Sequence, residues 1–236
     1  QLFQLKMFAL DPDFIPASDN TILIKFGDGI SENLHLQVLS FTKYLLKNPV
    51  KEITSISPGY NSILIRLSNT TRLDKSIDLL KTIGKSIRFD QGIEQRKIEI
   101  PVCYNPQLGL DLKRVMRHTA YSRDEVIKRH TSGSYLVHFI GFSAGFPYIG
   151  GMDETLATPR LDSPRKTVPV GSVGIAGKQT GIYPLPTPGG WNLIGRTPLK
   201  LLNKNHPGTS LVRMGDRIQF HAIDLDEYER LRSHQS

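Results

Sequence analysis

Between residues 141 and 198 the chain places 11 of its 20 glycines and 8 of its 15 prolines. That density limits what the segment can become. Proline removes a backbone donor and clashes with the preceding helical turn, while glycine costs helices and strands conformational entropy. A long helix is excluded, and so is a regular hairpin meander. Short strands, bulges and tight turns in an irregular barrel or sandwich satisfy the same composition. The flanks carry clearer signals. YLVHFI (135–140) reads as a strand, SLVRMGDRIQFHAI (210–223) as two strand pieces around Met214-Gly215-Asp216, and DLDEYERLR (224–232) as a polar helix. DLKRVMRHT and SRDEVIKRH, between 111 and 130, are short helical patterns joined through Ala120-Tyr121.

The first hundred residues follow ordinary periodicity. TILIKF (21–26) is a β-branched run that stops at Gly27-Asp28-Gly29. Ser31 is placed to cap a helix whose residues Leu34, Val38, Phe41 and Leu45 share one face, and Asn48-Pro49 ends it. KEITSIS (51–57) and SILIRL (62–67) read as strands around Pro58-Gly59. Thr71 with Asp74 resembles a capping box, opening a second helix striped by Leu73, Ile77, Leu80 and Ile87. RKIEIPV (96–102) closes the set. The order β-α-β-β-α-β predicts a ferredoxin-like α/β domain over 1–94, followed over 95–236 by a second domain that is an irregular barrel or sandwich, an α+β protein overall. A length of 236 residues suits one large or two small domains.

Composition narrows the class. With 39% hydrophobic and 22% charged residues the chain can build a core. No apolar run approaches the roughly 20 residues of a membrane helix, and QLFQLKMFAL lacks the parts of a signal peptide. Cys103 is the single cysteine, so no internal disulfide can form. A cytoplasmic protein that avoids the membrane is expected. The net charge of +8 is uneven: residues 1–95 hold 11 Lys/Arg against 10 Asp/Glu, and 96–236 hold 19 against 12. An anionic partner or substrate fits the second part, but an excess of this size also keeps a protein in solution.

Several tempting motifs lack their context. GFSAG (141–145) matches the G-x-S-x-G nucleophile elbow, and Asp216 and His221 lie downstream. The elbow needs a helix after the serine, which Pro147 and Gly150-Gly151 forbid, so Ser143 reads as part of a tight turn. GSVGIAGKQT (171–180) is a near miss for a phosphate loop: its outer glycines are mis-spaced, and Gln179 stands where Ser or Thr belongs. Its glycines would at most present N–H groups to an anion. The basic residues of 113–129 are spaced like a helix-turn-helix but lack a base-reading set, so nucleic acid is not expected. The histidines make no ligand pair, and the glycine-rich block holds only Asp153, Glu154 and Asp162, so no metal cage is expected. What remains in the block is a polar and aromatic set: Phe146, Tyr148, Arg160, Gln179, Thr180, Tyr183, Trp191 and Arg196. Aromatic walls with a few donors and an arginine suit a small planar carboxylate or amide, and the same residues can instead pack a barrel.

The strings GFPYIGG (145–151), LATPR (156–160), GSVGIAGKQTGIYP (171–184) and PGGWNLIGRTP (188–198), with IEIPVCY (98–104) and MGDRIQF (214–220), closely resemble one family. It is that of the 5-oxoprolinase B subunit, also called allophanate hydrolase subunit 1 or kinase A inhibitor (KipI-like). The resemblance implies a small α/β N-terminal domain and a cyclophilin-like β-barrel C-terminal domain. It implies an accessory subunit that works with the C and A subunits in ATP-driven opening of 5-oxoproline to glutamate. Relatives imply two alternatives: a regulator that binds a sensor histidine kinase, and a module of allophanate or urea-processing amidohydrolases. Carried onto matching positions, the substrate-binding residues are the eight just named. Arg160 or Arg196 would hold a carboxylate or phosphoryl oxygen, and Gln179 and Thr180 would orient the amide. ATP is expected for the complex as a whole, and which chain holds it is open. Two departures from the family pattern are Ala144, where proline is usual, and Lys178, where a small residue is common.

Overall fold

A computed structural model describes residues 8–9, 11–68, 72–89, 95–203 and 210–234. Its contacts divide the chain into two compact units, Gln1–Glu94 and Gln95–Ser236.

The first unit contains β1 (Phe8–Ala9), β2 (Asp13–Ser18), β3 (Thr21–Lys25), α1 (Glu32–Lys47), β4 (Ile53–Pro58), β5 (Ser62–Leu67), α2 (Leu73–Ser86) and β6 (Arg88–Phe89). Ser31 caps α1 by accepting the Leu34 N–H at 3.2 Å, and Asn48 closes the helix by donating back to the Tyr44 carbonyl. Val38, Phe41 and Leu45 are buried against Ile22, Ile24, Ile63 and Ile65, the inward positions of two alternating strands. Thr71 lies outside the described residues; α2 begins after Arg72, which makes no side-chain cap and instead pairs with Asp74 at 2.6 Å. The four-stranded antiparallel sheet has the order β2-β3-β5-β4, and β1 pairs separately with β6.

RKIEIPV does not join this sheet, contrary to the expectation from element order. That segment forms β7 (Lys97–Cys103), a strand of the barrel, and the fourth place in the first sheet belongs to β2. The alternation of Ile98, Ile100 and Val102 identifies a half-buried strand but not the sheet that buries it. Its partner lies some 120 residues away in sequence.

The second unit continues with α3 (Leu112–Thr119), α4 (Arg123–Ser132), β8 (Tyr135–Ile140), β9 (Pro147–Gly150), a 3-10 turn (Glu154–Leu156), β10 (Arg165–Val168), β11 (Ser172–Ala176), β12 (Gln179–Ile182), β13 (Thr187–Gly189), β14 (Asn192–Arg196), β15 (Arg217–Ile223) and α5 (Leu225–Ser233). Seven strands close a barrel in the order β11-β12-β9-β8-β15-β7-β14. β7 and β15 run parallel over seven residue pairs, whereas β7 meets β14 at one pair, Cys103 with Arg196. Register shifts mark β8 with β9, β10 with β13 and β11 with β14. These bulges are how a glycine- and proline-rich segment follows a closed curve. Residues 210–213, read as a strand piece, form a bend at 211–212; only the piece after Met214-Gly215-Asp216 is a strand. Ile100, Val137, Ile149, Val173, Ile182, Ile194 and Phe220 fill the interior, and Leu112, Val115 and Val126 of α3 and α4 join the same core. The helical insert therefore packs on the barrel, its two helices joined by Ala120 in the left-handed conformation.

Candidate functional site

On the barrel's other face, side chains that alternate with the interior set form a second cluster: Phe146, Val168, Ala176, Tyr183, Trp191 and Leu193, with Tyr148 packed beside it. Phe146 is the hub. Its ring meets Tyr183 at 5.1 Å, Trp191 at 5.4 Å and Tyr148 at 5.4 Å between centroids, each edge to face, the arrangement aromatic quadrupoles favour. The rings reach the sheet because the strands beneath are glycine. A Cβ on Gly181 would stand 2.8 Å from Phe146 Cζ and 2.9 Å from Trp191 Cζ3, and one on Gly189 would collide with the Tyr183 hydroxyl.

A cavity of about 360 Å³ opens over this cluster. Five of the eight expected site residues line it: Phe146, Tyr148, Arg160, Tyr183 and Trp191. Phe142, Pro164, Pro188, Gly189 and Gly190 complete the wall. Tyr183 is almost fully buried, and burial raises its phenol pKa against the opposing pull of the Trp191 backbone N–H and of Arg160 and Arg165. The hydroxyl is therefore a proton donor at neutral pH. Arg160 is exposed, and among the described residues its guanidinium has no hydrogen bond or ion pair. An uncommitted cation at the mouth of an aromatic cavity is a seat for an anion.

The other three expected residues do not line the cavity. Thr180 points into the barrel, where its Oγ1 donates to the Gly174 carbonyl at 3.1 Å and receives His130 Nε2 at 3.1 Å. That assigns the Nε2–H tautomer to His130, so Nδ1 accepts from the Tyr104 hydroxyl at 2.7 Å. Burial depresses the His130 pKa to about 3, so the ring is neutral and the chain Tyr104, His130, Thr180, Gly174 is satisfied along its length. Gln179 stands at the start of β12, half buried, outside the cavity wall. Arg196 ends β14 beside β7, its Nε buried without a hydrogen-bond partner.

The rejected motifs are explained by geometry. GFSAG is the turn between β8 and β9, closed by Gly141 N–H to the Phe146 carbonyl at 3.0 Å. Asp216 is held by Arg96 (Nε to Oδ1 3.0 Å, Nη2 to Oδ2 2.6 Å), and its carbonyl receives Val137 N–H well before β8 reaches Ser143. His221 is exposed on β15. No triad assembles. GSVGIAGKQT is the β11–β12 hairpin, turning at Gly177 (φ 55°) and Lys178; the Gly177 N–H already donates to the Thr158 carbonyl at 2.8 Å. Among the described residues no group of three His, Cys, Asp or Glu is placed to hold a metal ion.

The model for the carboxyltransferase domain, subdomain C and D, matches residues 12–212. The chain is 37% identical over 222 residues to the 5-oxoprolinase B subunit of Bacillus subtilis (strain 168), covering 89% of this chain and 92% of that one. With the Escherichia coli O157:H7 counterpart it shares 44% over 165 residues, 69% of this chain and 75% of that one. The chain belongs to the 5-oxoprolinase B-subunit family. The solved structure of TTHA0988 superposes with a TM-score of 0.77 at 32% identity, covering 86% of this chain and 40% of that one. The strings that carry the family resemblance are also those that build the cavity. GFPYIGG supplies Phe146 and Tyr148, LATPR supplies Arg160, and PGGWNLIGRTP supplies Pro188, the glycines and Trp191.

Sequence reasoning missed two supports of this site. Asp111, at the start of α3, accepts Arg165 Nη2 at 2.7 Å and the Leu193 N–H at 2.8 Å, tying the two-stranded β10–β13 sheet to the barrel. A lone aspartate before a helix looks like a cap, and no local pattern distinguishes the two. His130 lies at the end of the apolar stripe Val126, Ile127, which was the available signal that it faces the core.

Proposed function

We propose that this chain is the B subunit of an ATP-dependent 5-oxoprolinase complex, acting with the C and A subunits in opening 5-oxoproline to glutamate, and that the aromatic cavity receives the substrate. The carrying observation is the overlap of the family's strings with the cavity wall around an unpaired Arg160. Arg160 holds the ligand carboxylate. The Phe146, Tyr148 and Trp191 rings flank the apolar part of the ring and exclude water, and the protonated Tyr183 phenol donates to the amide or phosphoryl oxygen. ATP would supply the phosphoryl group that makes the lactam carbonyl attackable. The glycine-rich β11–β12 hairpin does not form a phosphate loop, its Gly177 N–H being taken by the Thr158 carbonyl. On this reading ATP is used by the complex as a whole, and the isolated chain is inactive. The cytoplasm is the matching compartment; among the described residues no helix is long and apolar enough to cross a membrane.

The finer fold reading goes with this. The second unit is read as a cyclophilin-like barrel. The first is read as ferredoxin-like, with β2 standing where that fold's last strand would lie. The β2-β3-β5-β4 order around two helices supports it.

Reconstitution tests the function. The chain is mixed with its candidate A and C partners, and glutamate and ADP are measured with each chain omitted in turn. Formation that needs all three chains is expected, as is a large loss on Arg160→Ala. Unchanged turnover without this chain would overturn the proposal and make binding to a histidine kinase the next measurement.

A further inference from the structure

The turn that carries β8 into β9 departs from what its backbone should prefer. Among the described residues two non-glycines have a positive φ, Ala120 and Phe142. Ala120 ends α3, a common place for a left-handed residue. Phe142, at φ 63°, has no helix to close. The Ser143 N–H donates to the Gly141 carbonyl at 2.7 Å, making a three-residue turn centred on Phe142. With a positive φ at its centre, this is the rare and strained form of that turn. A bulky side chain there crowds its own backbone, a penalty that glycine avoids. Three residues on, the same loop does use glycine, Gly145 at φ 77°. The turn carries a second cost, because the Ser143 hydroxyl is buried without a hydrogen-bond partner among the described residues.

Packing returns little for these costs. Phe142 is 63% exposed, and its ring meets Phe146 only edge-on, at 5.5 Å between centroids. What the strained turn does achieve is position. Phe146, Tyr148, Tyr183 and Trp191 belong to the packed inner wall of the cavity, whereas Phe142 is the one aromatic residue of the wall outside that cluster. It stands at the rim with most of its surface bare. Backbone strain persists where the surrounding structure enforces it, and it gathers at ligand sites. A pocket that binds a small molecule covers most of that molecule with apolar and aromatic side chains, and the outer side of this one has a single ring to offer.

We propose that Phe142 is a binding residue, and that its strained turn is kept so that its ring covers the solvent side of a small ring-bearing ligand held against Phe146. Glycine at this position would fold better and bind worse. This inference rests on the cavity being the ligand site proposed above, and adds to it a residue outside the expected set.

Trp191, the single tryptophan of the chain, lines the cavity and can report binding. Chain labelled with 5-fluorotryptophan is reconstituted with unlabelled partner subunits, and its 19F resonance is followed against 5-oxoproline. Urea unfolding of each variant chain reads the strain. Phe142→Gly should unfold at a higher urea concentration than Phe142→Ala, because both lose the ring and only glycine relieves the turn. Both should bind 5-oxoproline about 10-fold more weakly than the parent, and raise KM by a similar factor with kcat nearly constant. Phe142→Leu, which keeps an apolar cover, should recover part of the loss. Ala120→Gly, which relieves the other positive φ outside the cavity wall, should leave binding unchanged.

A Phe142→Gly variant that binds like the parent would overturn the proposal while leaving the cavity as the ligand site. Equal stability of the glycine and alanine variants would overturn it as well, since no strain would then need a purpose. A Phe142→Ala chain that leaves the complex in sedimentation, yet binds 5-oxoproline like the parent once the complex is re-formed at higher concentration, would make Phe142 an anchor for a partner subunit instead. No shift with the parent, in a complex that still turns over 5-oxoproline, would overturn both the role of Phe142 and the cavity assignment.

Discussion

The α1 region and the glycine-rich block solve the same problem of burial by opposite means. In α1 and its sheet, side chains do the packing: Phe41 is fully buried and meets Phe14 and Phe26 at centroid distances of 6.4 and 5.8 Å. Across the block, missing side chains do as much. Gly181 and Gly189 leave room for Phe146, Trp191 and Tyr183 to rest on the strands. The first kind of core is written in which residues are large and how they are spaced. The second is written in where nothing stands, and its meaning depends on partners distant in sequence.

The largest expected effect tests the one polar chain inside the barrel. His130 is neutral when folded, with a pKa near 3, against about 6.5 when unfolded. Because the folded value is the lower, its contribution is complete above pH 6.5, falls as the pH drops through that window, and is gone below about 3. The full change is about 4–5 kcal/mol, with a slope of about 1.4 kcal/mol per pH unit. Urea unfolding of the second unit across pH 3.5–7 should show this slope, and His130→Gln should flatten it. An unchanged slope would mean that His130 is not the titrating group.

Phe41→Ala should cost the first unit about 3–5 kcal/mol, the usual result of emptying a packed aromatic site. Gly181→Ala should cost about 1–3 kcal/mol through crowding, and it should also displace Phe146 and Trp191 and weaken ligand binding. Gly177→Ala sharpens the contrast within one hairpin. Nothing lies within 4 Å of a Cβ there, and the backbone is at φ 55°, so the cost is conformational, about 1 kcal/mol, with binding untouched. Equal effects of the two glycine variants on binding would break the distinction between space and backbone. The smallest change should come from Lys178→Ala. Its 2.8 Å pair with Glu154 is exposed on both sides, so a loss below about 0.5 kcal/mol is expected by thermal or urea unfolding.

The same contrast explains what could be read in advance. Ser31, Val38, Phe41 and Leu45 announce α1 because cap and stripe lie within a few turns of each other. SILIRL is a strand at the residues its alternation indicates. The division of labour among the glycine-block residues was only partly legible. Phe146, Tyr148, Arg160, Tyr183 and Trp191 come together on one face, whereas Thr180, adjacent in sequence to the Gly181 that lies beneath Phe146 and Trp191, faces the interior, because neighbours on a strand point to opposite sides. Arg196, of the same expected set, pairs with Cys103 of β7 instead. The sheet membership of β7 and the role of Asp111 depend on contacts made far away in sequence, which periodicity does not carry.

The parallel pairing of β7 with β15 also sets a schedule for synthesis. At about 5–20 residues per second, β7 leaves the ribosome roughly 6–24 s before its partner is made. During that interval Ile98, Ile100 and Val102 belong to a strand with no ladder on its longer side. Pro101 stands among them, at the position later paired with His221, and it offers a stray strand no N–H to bind. The residue that makes β7 a poor template while it waits is tolerated in the finished barrel because β14 meets this strand only at Cys103.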